Sequence, residues 1–473
     1  MKKGLWIAIV ALLLLLALAG GLLLYIQSIR EDPMQAFQTP APAASPAPTL
    51  AASAAPSPSP SPTLSPEEEL AQAADRDFMQ NRVNILLLGW DQSPEREEEG
   101  SDLYRDEENN FRSDVMMLLT VDFAGGQVDL ISIPRDTMAS IYNTTGRWKI
   151  NAAFAQGGSA AGEGFEYAIK TVENLLGVPI QHYAGVDMVG LKAVVDAMGG
   201  VDYDVDVRIE LNGRVLEPGL QHLDGQQVLD YCRARKGIST DVGRADRQQR
   251  MLFAILSQLK SRDQLKNLPK IYLSVQDKVH TSLNAEQIAA LTLFAMDLDL
   301  EADLHRYTLE GEYINNTPYS GASFYVLDTE ALQALVGDIF GISIQPDYRF
   351  DYRYVLADKA AAQGLAYVEC ANYLTGQLIP DAYLAQQYGI PQAVEALSTL
   401  CTREFPEDWS QAQVDAALQQ PLDQEAIEAA TEDLANRLYS LCLARGITQA
   451  MVDPALVPQP IYDLLPPGFT ALP

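Results

Sequence analysis

The chain has 473 residues, of which 48% are hydrophobic and 20% charged, which is sufficient for at least one large buried core. Its formal net charge of -30 and pI near 4.4 exclude general nucleic-acid binding, because most of the surface would repel a duplex. An anionic ligand must therefore be bound by a local concentration of basic side chains.

An uncharged apolar run over residues 5–26 follows Lys2 and Lys3. As a helix it would be ~33 Å long, which is enough to cross a bilayer. The positive-inside rule then predicts that residues 1–4 are cytoplasmic and that everything after the helix is extracytoplasmic. A cleaved signal peptide is the alternative, since Ala17-Leu18-Ala19 resembles a cleavage site. We favour the anchor because the apolar run continues past that site.

Residues 27–80 are predicted to be a linker that ends in a short helix. The tract from residue 33 to residue 66 is dominated by Pro, Ala and Ser, which cannot form a packed core. Ser65, Pro66 and the three glutamates that follow have the order of an N-cap, a first helical residue and an acidic first turn.

Residues 81–345 alternate between strand and helix patterns, which predicts an α-β-α sandwich with a mixed central sheet. Strands are predicted at residues 83–88, 115–121, 128–133, 181–186 and 201–207, and helices at residues 165–176, 188–198, 244–259 and 284–298. Residues 346–473 are predicted to be a helical C-terminal extension, in which helices continue to Arg445 and Gly446 ends the last one. No function is predicted for this extension.

Residues 231–250, called the basic segment below, contrast with the acidic chain around them. The segment carries the basic residues Arg233, Arg235, Lys236, Arg244, Arg247 and Arg250, against only Asp241 and Asp246. Guanidinium groups so close together repel one another, and each offers a rigid set of donors that suits phosphate or carboxylate oxygens. The basic segment therefore predicts an anion site.

Further charged residues follow or precede the predicted strands. Asp91 follows the first strand, Arg112 and Asp114 precede the second, and Arg135, Asp136 and Lys149 follow the third. Strand ends that face a crevice collect ligands in sheets covered by helices, so these side chains are expected to converge. A nucleotide cofactor is not predicted, because Gly162 is followed by Glu163 where a P-loop requires Lys.

The motifs LLLGWD, FRSD, SIPRD, KINAAF and YCRARKGISTDVGRADRQQ, in that order, resemble the LytR-CpsA-Psr family of cell-wall glycopolymer transferases. The resemblance covers residues 81–260 and extends towards residue 340. It implies an α-β-α sandwich that binds a polyprenyl-pyrophosphate-linked glycopolymer and transfers the glycosyl-phosphate portion to a sugar hydroxyl of peptidoglycan. The polymer would be a teichoic acid, a capsular polysaccharide or another wall polysaccharide.

The resemblance also implies roles for individual residues. The metal ligands would be Asp91 and Asp114, holding Mg²⁺ or alternatively Mn²⁺. The catalytic cations would be Arg135, Arg235 and Arg244, and the substrate-binding residues Arg112, Lys149, Arg233 and Gln248. Asp136 or Asp241 is a candidate base for the acceptor hydroxyl, although for both residues we favour the orientation of a neighbouring Arg.

The sequence departs from the family pattern in two places. Phe111 and Val115 flank the RSD motif, and an acidic insert over residues 92–110 separates the two metal-site motifs. The insert is either a lid or a solvated loop. We expect it to point away from the substrate, because its like charges would repel a polyanion.

The four cysteines lack the CxxC spacing of a zinc site. We predict buried free thiols, with a disulfide between two of Cys370, Cys401 and Cys442 as the alternative. Cys232 is predicted to occupy a core position on a strand.

Two other functions remain possible from the residues alone. Water could replace the sugar hydroxyl, so that the protein would hydrolyse lipid-linked pyrophosphate. The domain could also be a non-catalytic or regulatory module that binds the lipid-linked glycan, although its complete set of acidic and basic motif residues favours catalysis.

Overall fold

The computed structural model describes residues 82–90, 111–211, 214–233, 250–251, 254–255, 258, 279–299, 302–406 and 408–468. The predicted anchor, the linker, Asp91, the acidic insert and residues 234–249 of the basic segment lie outside the described residues. Among the helices that are described, none has the length and apolar character needed to cross a membrane.

The described strands are short except for the first two. They are β1 Arg82–Trp90, β2 Ser113–Asp122, β3 Gln127–Ser132, β4 Met138–Ala139, β5 Trp148–Lys149, β6 His182–Asp187, β7 Val201–Val205, β8 Ile209–Leu211, β9 Arg214–Leu216, β10 Gly219–Leu223, β11 Val279–Thr281, β12 Leu304–Thr308, β13 Gly311–Ile314 and β14 Phe324–Leu327.

The helices with complete bounds fall into two groups along the chain. The first group is α1 Ala152–Gln156, α2 Gly164–Leu176, α3 Met188–Met198, α4 Gly225–Arg233 and α5 Ala285–Asp297. The second group is α6 Thr329–Phe340, α7 Tyr352–Tyr373, α8 Ala382–Gln387, α9 Ile390–Cys401, α10 Gln411–Leu418, α11 Gln424–Ala444 and α12 Gln459–Leu464.

The central sheet has six strands in the order β11-β6-β1-β2-β3-β12. β1 pairs antiparallel with β2 and parallel with β6, and β3 pairs antiparallel with β2 and parallel with β12. Every residue of β1 after Arg82 is buried, as its continuous apolar sequence predicts for a central strand. The predicted mixed sheet is confirmed.

Helices cover both faces of this sheet. Ile85 and Leu87 of β1 belong to a core cluster that includes Val194 of α3 and Val228 of α4. On the opposite face, Trp90 packs against Phe154 of α1 and Phe165 of α2, with ring centroids 5.1 and 5.9 Å apart. Because successive strand residues point to opposite faces, one strand contributes to both cores.

Gly185 on β6 allows the aromatic cluster to approach the sheet. A Cβ at this position would lie 2.7 Å from the Phe165 ring and 2.9 Å from the Trp90 ring, which is closer than side chains pack. The absence of a side chain therefore lets Phe165 lie directly against the strand.

The chain divides into two compact units. Among the described residues, the first unit holds residues 82–135 and 140–309, and the second holds residues 136–139 and 310–468. The sequence predicts a catalytic domain that extends to residue 345; in the structure β13 and β14 pack with α7 of the C-terminal part. Met138 and Phe324 share a core cluster with Val355 of α7.

The C-terminal part is helical, as predicted. α7, α9 and α11 enclose a separate apolar core that includes Leu397, Leu434 and Leu438. Residue Gly446 follows α11 with φ of 63°, the left-handed conformation expected at a helix stop.

The four cysteines are free and buried, as predicted. Burial raises the pKa of Cys370 to about 12 and that of Cys442 to about 11. The strand position predicted for Cys232 is wrong, because this residue lies on α4, where it is buried against the sheet.

Candidate functional site

The candidate site begins where β1 ends and β2 starts. Gly89 pairs with Val115, whereas the next residue, Trp90, pairs with Ser113, so the register shifts and Asp114 has no partner on β1. A bulge of this kind redirects a side chain out of the regular alternation of a strand. The second predicted metal ligand, Asp91, follows Trp90 directly in sequence but lies outside the described residues.

Asp114 forms an ion pair with Arg135. The Arg135 guanidinium donates to Asp114 Oδ1 at 2.8 Å, and the two side chains are 24% and 25% exposed, respectively. Two of the residues predicted from separate motifs, FRSD and SIPRD, are therefore in direct contact. The Asp114 carboxylate therefore balances part of the charge of Arg135.

Asn151 connects these two motifs through its backbone. Its carbonyl accepts from the N–H of Ser113 at 3.3 Å, and its N–H donates to the carbonyl of Arg135 at 3.2 Å. The KINAAF motif thus fixes the residue before Asp114 and the residue that pairs with Asp114. No motif in the sequence indicates a separate role for Asn151, because the link is made by backbone atoms, which leave no sequence signal.

Two buried side-chain oxygens on residues that adjoin the ion pair in the backbone network have no hydrogen-bond partner in the part of the chain that the structure describes. They are Ser113 Oγ and Asn151 Oδ1, from residues that are 0% and 6% exposed. Asn151 also precedes α1 without capping it, although Asn is a favoured capping residue. Buried polar atoms that lack a partner are uncommon and often mark the position of a water or an ion.

The side-chain oxygens of Asp114, Ser113 and Asn151 are of the type that suits the Mg²⁺ implied by the resemblance. Mg²⁺ uses one or two carboxylates and completes its shell with water and substrate phosphates. Asp114 Oδ2 makes no hydrogen bond within the described part of the chain, and the carboxylate is partly exposed to solvent. Among the residues described, no three His, Cys, Asp or Glu side chains lie together in a group that could hold a metal ion.

The other predicted cations of the first unit lie near these motifs in sequence. Arg112 is exposed and makes no ion pair with the residues that the structure describes, whereas Lys149 is half-buried at the end of β5. Ser159 Oγ donates to the carbonyl of Phe111 at 2.9 Å, so the Gly157-Gly158-Ser159 loop anchors the residue before Arg112.

Asp136 belongs to the second unit and is 7% exposed. Its Oδ2 accepts from the Tyr313 hydroxyl at 2.5 Å, and its carbonyl accepts from the N–H of Tyr325 at 2.9 Å. Because Asp136 is buried and accepts hydrogen bonds from Tyr313 on β13 and Tyr325 on β14, it can keep these two strands in place. These contacts give the predicted base a structural role within its own unit.

Only the two borders of the basic segment are described. Arg233 ends α4, while Arg235, Arg244 and Gln248 lie outside the described residues. Arg250, at the other border, forms an ion pair with Asp206. The sequence groups Arg250 with the cations of the predicted anion site, but in the structure the Asp206 carboxylate balances its charge.

A groove of about 350 Å³ lies in the second unit, between α7, α11 and α12. Glu428 and Glu432 line it together with the rings of Tyr367 and Tyr439, and its described lining contains no basic residue. A diphosphate would be repelled there. This groove therefore does not fit the anion site that the sequence predicts.

The chain belongs to the LytR_cpsA_psr family, whose model matches residues 60–336, more than half of the sequence. Among its curated relatives is the polyisoprenyl-teichoic acid--peptidoglycan teichoic acid transferase TagU of Bacillus mycoides strain KBAB4. The two are 35% identical over 207 residues, which are 44% of this chain and 62% of the relative. TagV of Bacillus subtilis strain 168, which carries the same enzyme description, is 32% identical over 256 residues, 51% of this chain and 61% of TagV.

The chain thus matches less than two thirds of the length of these relatives. Among solved structures, the crystal structure of B. subtilis TagV is similar to this fold with a TM-score of 0.46 and 26% identity. That similarity covers 56% of this chain and 99% of the TagV chain.

Proposed function

We propose that the protein is a membrane-anchored phosphotransferase of the cell wall. It moves the glycosyl-phosphate part of a polymer from a polyprenyl-pyrophosphate carrier to a sugar hydroxyl of peptidoglycan. The observation that best supports this proposal is the contact between Arg135 and Asp114, together with the backbone links that Asn151 makes to both motifs. The names of the relatives support teichoic acid and peptidoglycan as the substrate classes, with capsular polysaccharide as the alternative polymer.

The diphosphate would be bound by the cations that the motifs supply. Arg135 lies beside Asp114, so it can donate to a phosphate oxygen while the carboxylate holds its side chain in place. Arg112 is exposed and can reach a substrate without first breaking an ion pair with the described residues. The remaining proposed ligands are Lys149, Arg233, Arg235, Arg244 and Gln248.

The reaction exchanges one phosphorus–oxygen bond for another. The acceptor hydroxyl oxygen bonds to the phosphorus that carries the first sugar, and the bond from this phosphorus to the bridging oxygen breaks. Prenyl phosphate leaves and can take up the hydroxyl proton, so the step does not require a carboxylate base. Catalysis then depends on in-line placement and on neutralising the charge of both phosphates.

Mg²⁺, or Mn²⁺ in its place, is proposed to bind Asp114 and Asp91. When bound, it would neutralise negative charge on the diphosphate. Ser113 and Asn151 could then satisfy their buried oxygens through water molecules of the metal shell. The position of Asp114 on a bulge supports this role, because it directs the carboxylate away from the regular strand.

Residues 5–26 are proposed to be a single membrane-spanning anchor, with residues 1–4 in the cytoplasm. The linker over residues 27–80 would then connect the membrane to an extracytoplasmic catalytic domain. This arrangement brings the enzyme to a carrier lipid that is itself embedded in the membrane.

The test uses the full-length protein in detergent with purified lipid-linked polymer, with and without peptidoglycan fragments. We expect polymer to be attached to peptidoglycan, and prenyl phosphate to be released in equal amount. Phosphate release that does not depend on the acceptor would instead identify a pyrophosphate hydrolase. Binding of the lipid without any product would indicate a binding module.

A further inference from the structure

The groove of the second unit lies in a part of the chain that the family model does not match. The family match ends at residue 336, whereas the residues that line the groove fall between 360 and 464. Gln363 and Tyr367 share one face of α7, and Glu428, Glu432 and Tyr439 share one face of α11. Its volume of about 350 Å³ is sufficient for one side chain with the adjoining backbone of a short peptide.

The acidic side of this groove is not balanced by a cation within the described part of the chain. Glu428 and Glu432 are four residues apart on α11, a spacing at which like charges repel one another. Glu428 accepts from the side-chain amide of Gln424 at 2.8 Å, and Glu432 forms no ion pair with any described residue. The next residue, Asp433, is instead paired with Arg437 at 2.7 Å. A cation bound in the groove would therefore relieve the repulsion between the two glutamates.

Two aromatic rings line the same groove, those of Tyr367 and Tyr439. Both rings are half-buried, and their hydroxyls make no hydrogen bond to the residues that the structure describes. The face of a tyrosine ring attracts an ammonium group, and the hydroxyl can accept a hydrogen bond from it. A hard metal ion would instead require several oxygen ligands. The rings thus favour an organic cation, independently of the two carboxylates.

The remaining lining distinguishes between organic cations. Ile461 and Leu464 of α12 form an apolar wall, in which Leu464 is 58% exposed. Gln363 and Asn436 add side-chain amides that bind no other residue in the described ranges. An aliphatic side chain can lie along the apolar wall while its ammonium group reaches the carboxylates, and the amides can bind peptide backbone groups. This combination suits a lysine-type side chain on a peptide better than a small free amine.

We infer that the groove binds the side-chain ammonium group of a diamino acid in a stem peptide of peptidoglycan. A stem peptide that is not cross-linked carries this amine in its free form. The choice of peptidoglycan rests on the proposed function, in which peptidoglycan is the acceptor, whereas the choice of a peptide ammonium rests on the groove. Residues 346–473 contain 17 acidic and six basic residues, so this part of the chain attracts a cationic peptide and repels a polyanion.

The first test uses titration calorimetry with the full-length protein in detergent. The probe is a soluble disaccharide-peptide fragment of peptidoglycan whose diamino acid has a free side-chain amine. We expect Glu432→Gln to bind it about fivefold more weakly than wild type, because the variant loses one charge of the cation site. Asp433→Asn is the matched control on the same helix and should bind as wild type does. Equal affinity in wild type and Glu432→Gln would overturn the inference.

The second test separates the charge of the ligand from its shape. Wild type should bind the same fragment at least about fivefold more weakly once its amine is acetylated, since acetylation removes the positive charge. Tyr439→Leu should weaken binding of the free amine about threefold, whereas Tyr439→Phe should bind normally because it keeps the ring face. Equal affinity for the free and acetylated fragments, or equal weakening in the two Tyr439 variants, would contradict the proposed contacts.

The third test identifies the source of the ammonium group. An unrelated lysine-containing peptide of L-amino acids, equal in length to the stem peptide, should bind more weakly than the peptidoglycan fragment. Equal binding would overturn the assignment to peptidoglycan. Because none of these measurements requires transfer, the two proposals can fail separately. Binding that depends on Glu432 without any polymer transfer would contradict the proposed function, and transfer by a protein whose Glu432→Gln variant binds normally would contradict only this inference.

Discussion

The guanidinium of Arg135 donates to a carboxylate oxygen of Asp114 at 2.8 Å. The backbone of Asn151 forms hydrogen bonds with Arg135 and with Ser113, the residue before Asp114. The pair is partly exposed, so its attraction is screened by solvent and contributes on the order of 0.2–1 kcal/mol to stability. Its main consequence is therefore geometric. The pair holds a cation and a carboxylate together at the β-bulge near the start of β2. A phosphate that binds together with a metal ion would require both of these groups.

We expect Arg135→Ala to lower the transferase rate at least about 100-fold, because the loss of one preorganised donor to a developing charge has effects of this size. The fold should remain intact, with a change in unfolding free energy below about 1 kcal/mol. Arg82→Ala is the matched control, since Arg82 forms a 2.7 Å ion pair with Asp122 at the other end of the same two strands. A comparable loss of activity in Arg82→Ala would show that Arg135 acts through stability.

We expect Asp114→Asn to abolish the stabilisation of the protein by Mg²⁺ together with inorganic pyrophosphate. In wild type, saturating ligand at about 100 times its Kd should add about 2.7 kcal/mol to the unfolding free energy, measured as a shift in Tm. The amide keeps the size of the side chain and can still accept from Arg135, but it lacks the charge that a hard cation prefers. Asp122→Asn serves as the control, and an equal ligand-induced shift in Asp114→Asn would argue against the metal assignment.

The sequence predicts some of these features and misses others for physical reasons. The buried strand β1 and the capped helix α5 follow from local apolar runs and a capping box, which need no knowledge of distant residues. The bulge at Asp114 depends on how β2 pairs with β1, and the ion pair between Arg250 and Asp206 joins residues that are far apart in the chain. Such non-local pairing leaves no periodic signal in the chain.

The division into two compact units likewise depends on contacts between distant residues. Residues 136–139 lie within a run of first-unit sequence, yet the N–H of Tyr325 donates to the carbonyl of Asp136 and Met138 packs with Val355. The sequence pattern does not show that residues 136–139 belong to the second unit.

Asp136 and Tyr313 allow the proposed base to be distinguished from a structural carboxylate. If Asp136 stabilises the second unit through the Tyr313 hydroxyl, Tyr313→Phe should lower its unfolding free energy by about 1–3 kcal/mol and leave the pH profile of transfer unchanged. Asp136→Asn should have a similar effect on stability. A Tyr313→Phe variant of normal stability, combined with an Asp136→Asn variant that folds normally but lacks the acidic limb of the pH profile, would restore the base assignment.

The cysteines should resist modification while the protein is folded. Because Cys370 and Cys442 are buried and their pKa values are raised to about 12 and about 11, very little thiolate is present near neutral pH. A maleimide reagent should react only as fast as the protein unfolds, and unfolding in denaturant without reductant should release all four thiols. Recovery of only two thiols would indicate the disulfide that the sequence left as an alternative.

Asp351 provides a prediction for the dependence of stability on pH. This residue is 6% exposed and accepts from the N–H of Arg353 at 2.9 Å and the hydroxyl of Thr329 at 2.8 Å. Burial raises the pKa of Asp351, but the hydrogen bonds from Arg353 and Thr329 lower it by more, so the folded pKa lies below the ordinary value of 3.8. The stabilisation is therefore fully present above the unfolded pKa and is lost as the pH falls through the folded pKa.

The variant Asp351→Asn isolates this effect, because Asn can still accept at the start of α7 but carries no charge. Urea unfolding should show that wild type is about 1–3 kcal/mol more stable than the variant at pH 7, with the difference shrinking below about pH 4. Asp433→Asn is the control, since the Asp433–Arg437 pair lies on α11 with Asp433 53% exposed, where solvent screens the interaction. A stability difference that stays constant from pH 7 to pH 3 would mean that the charge of Asp351 contributes nothing and that only its shape is required.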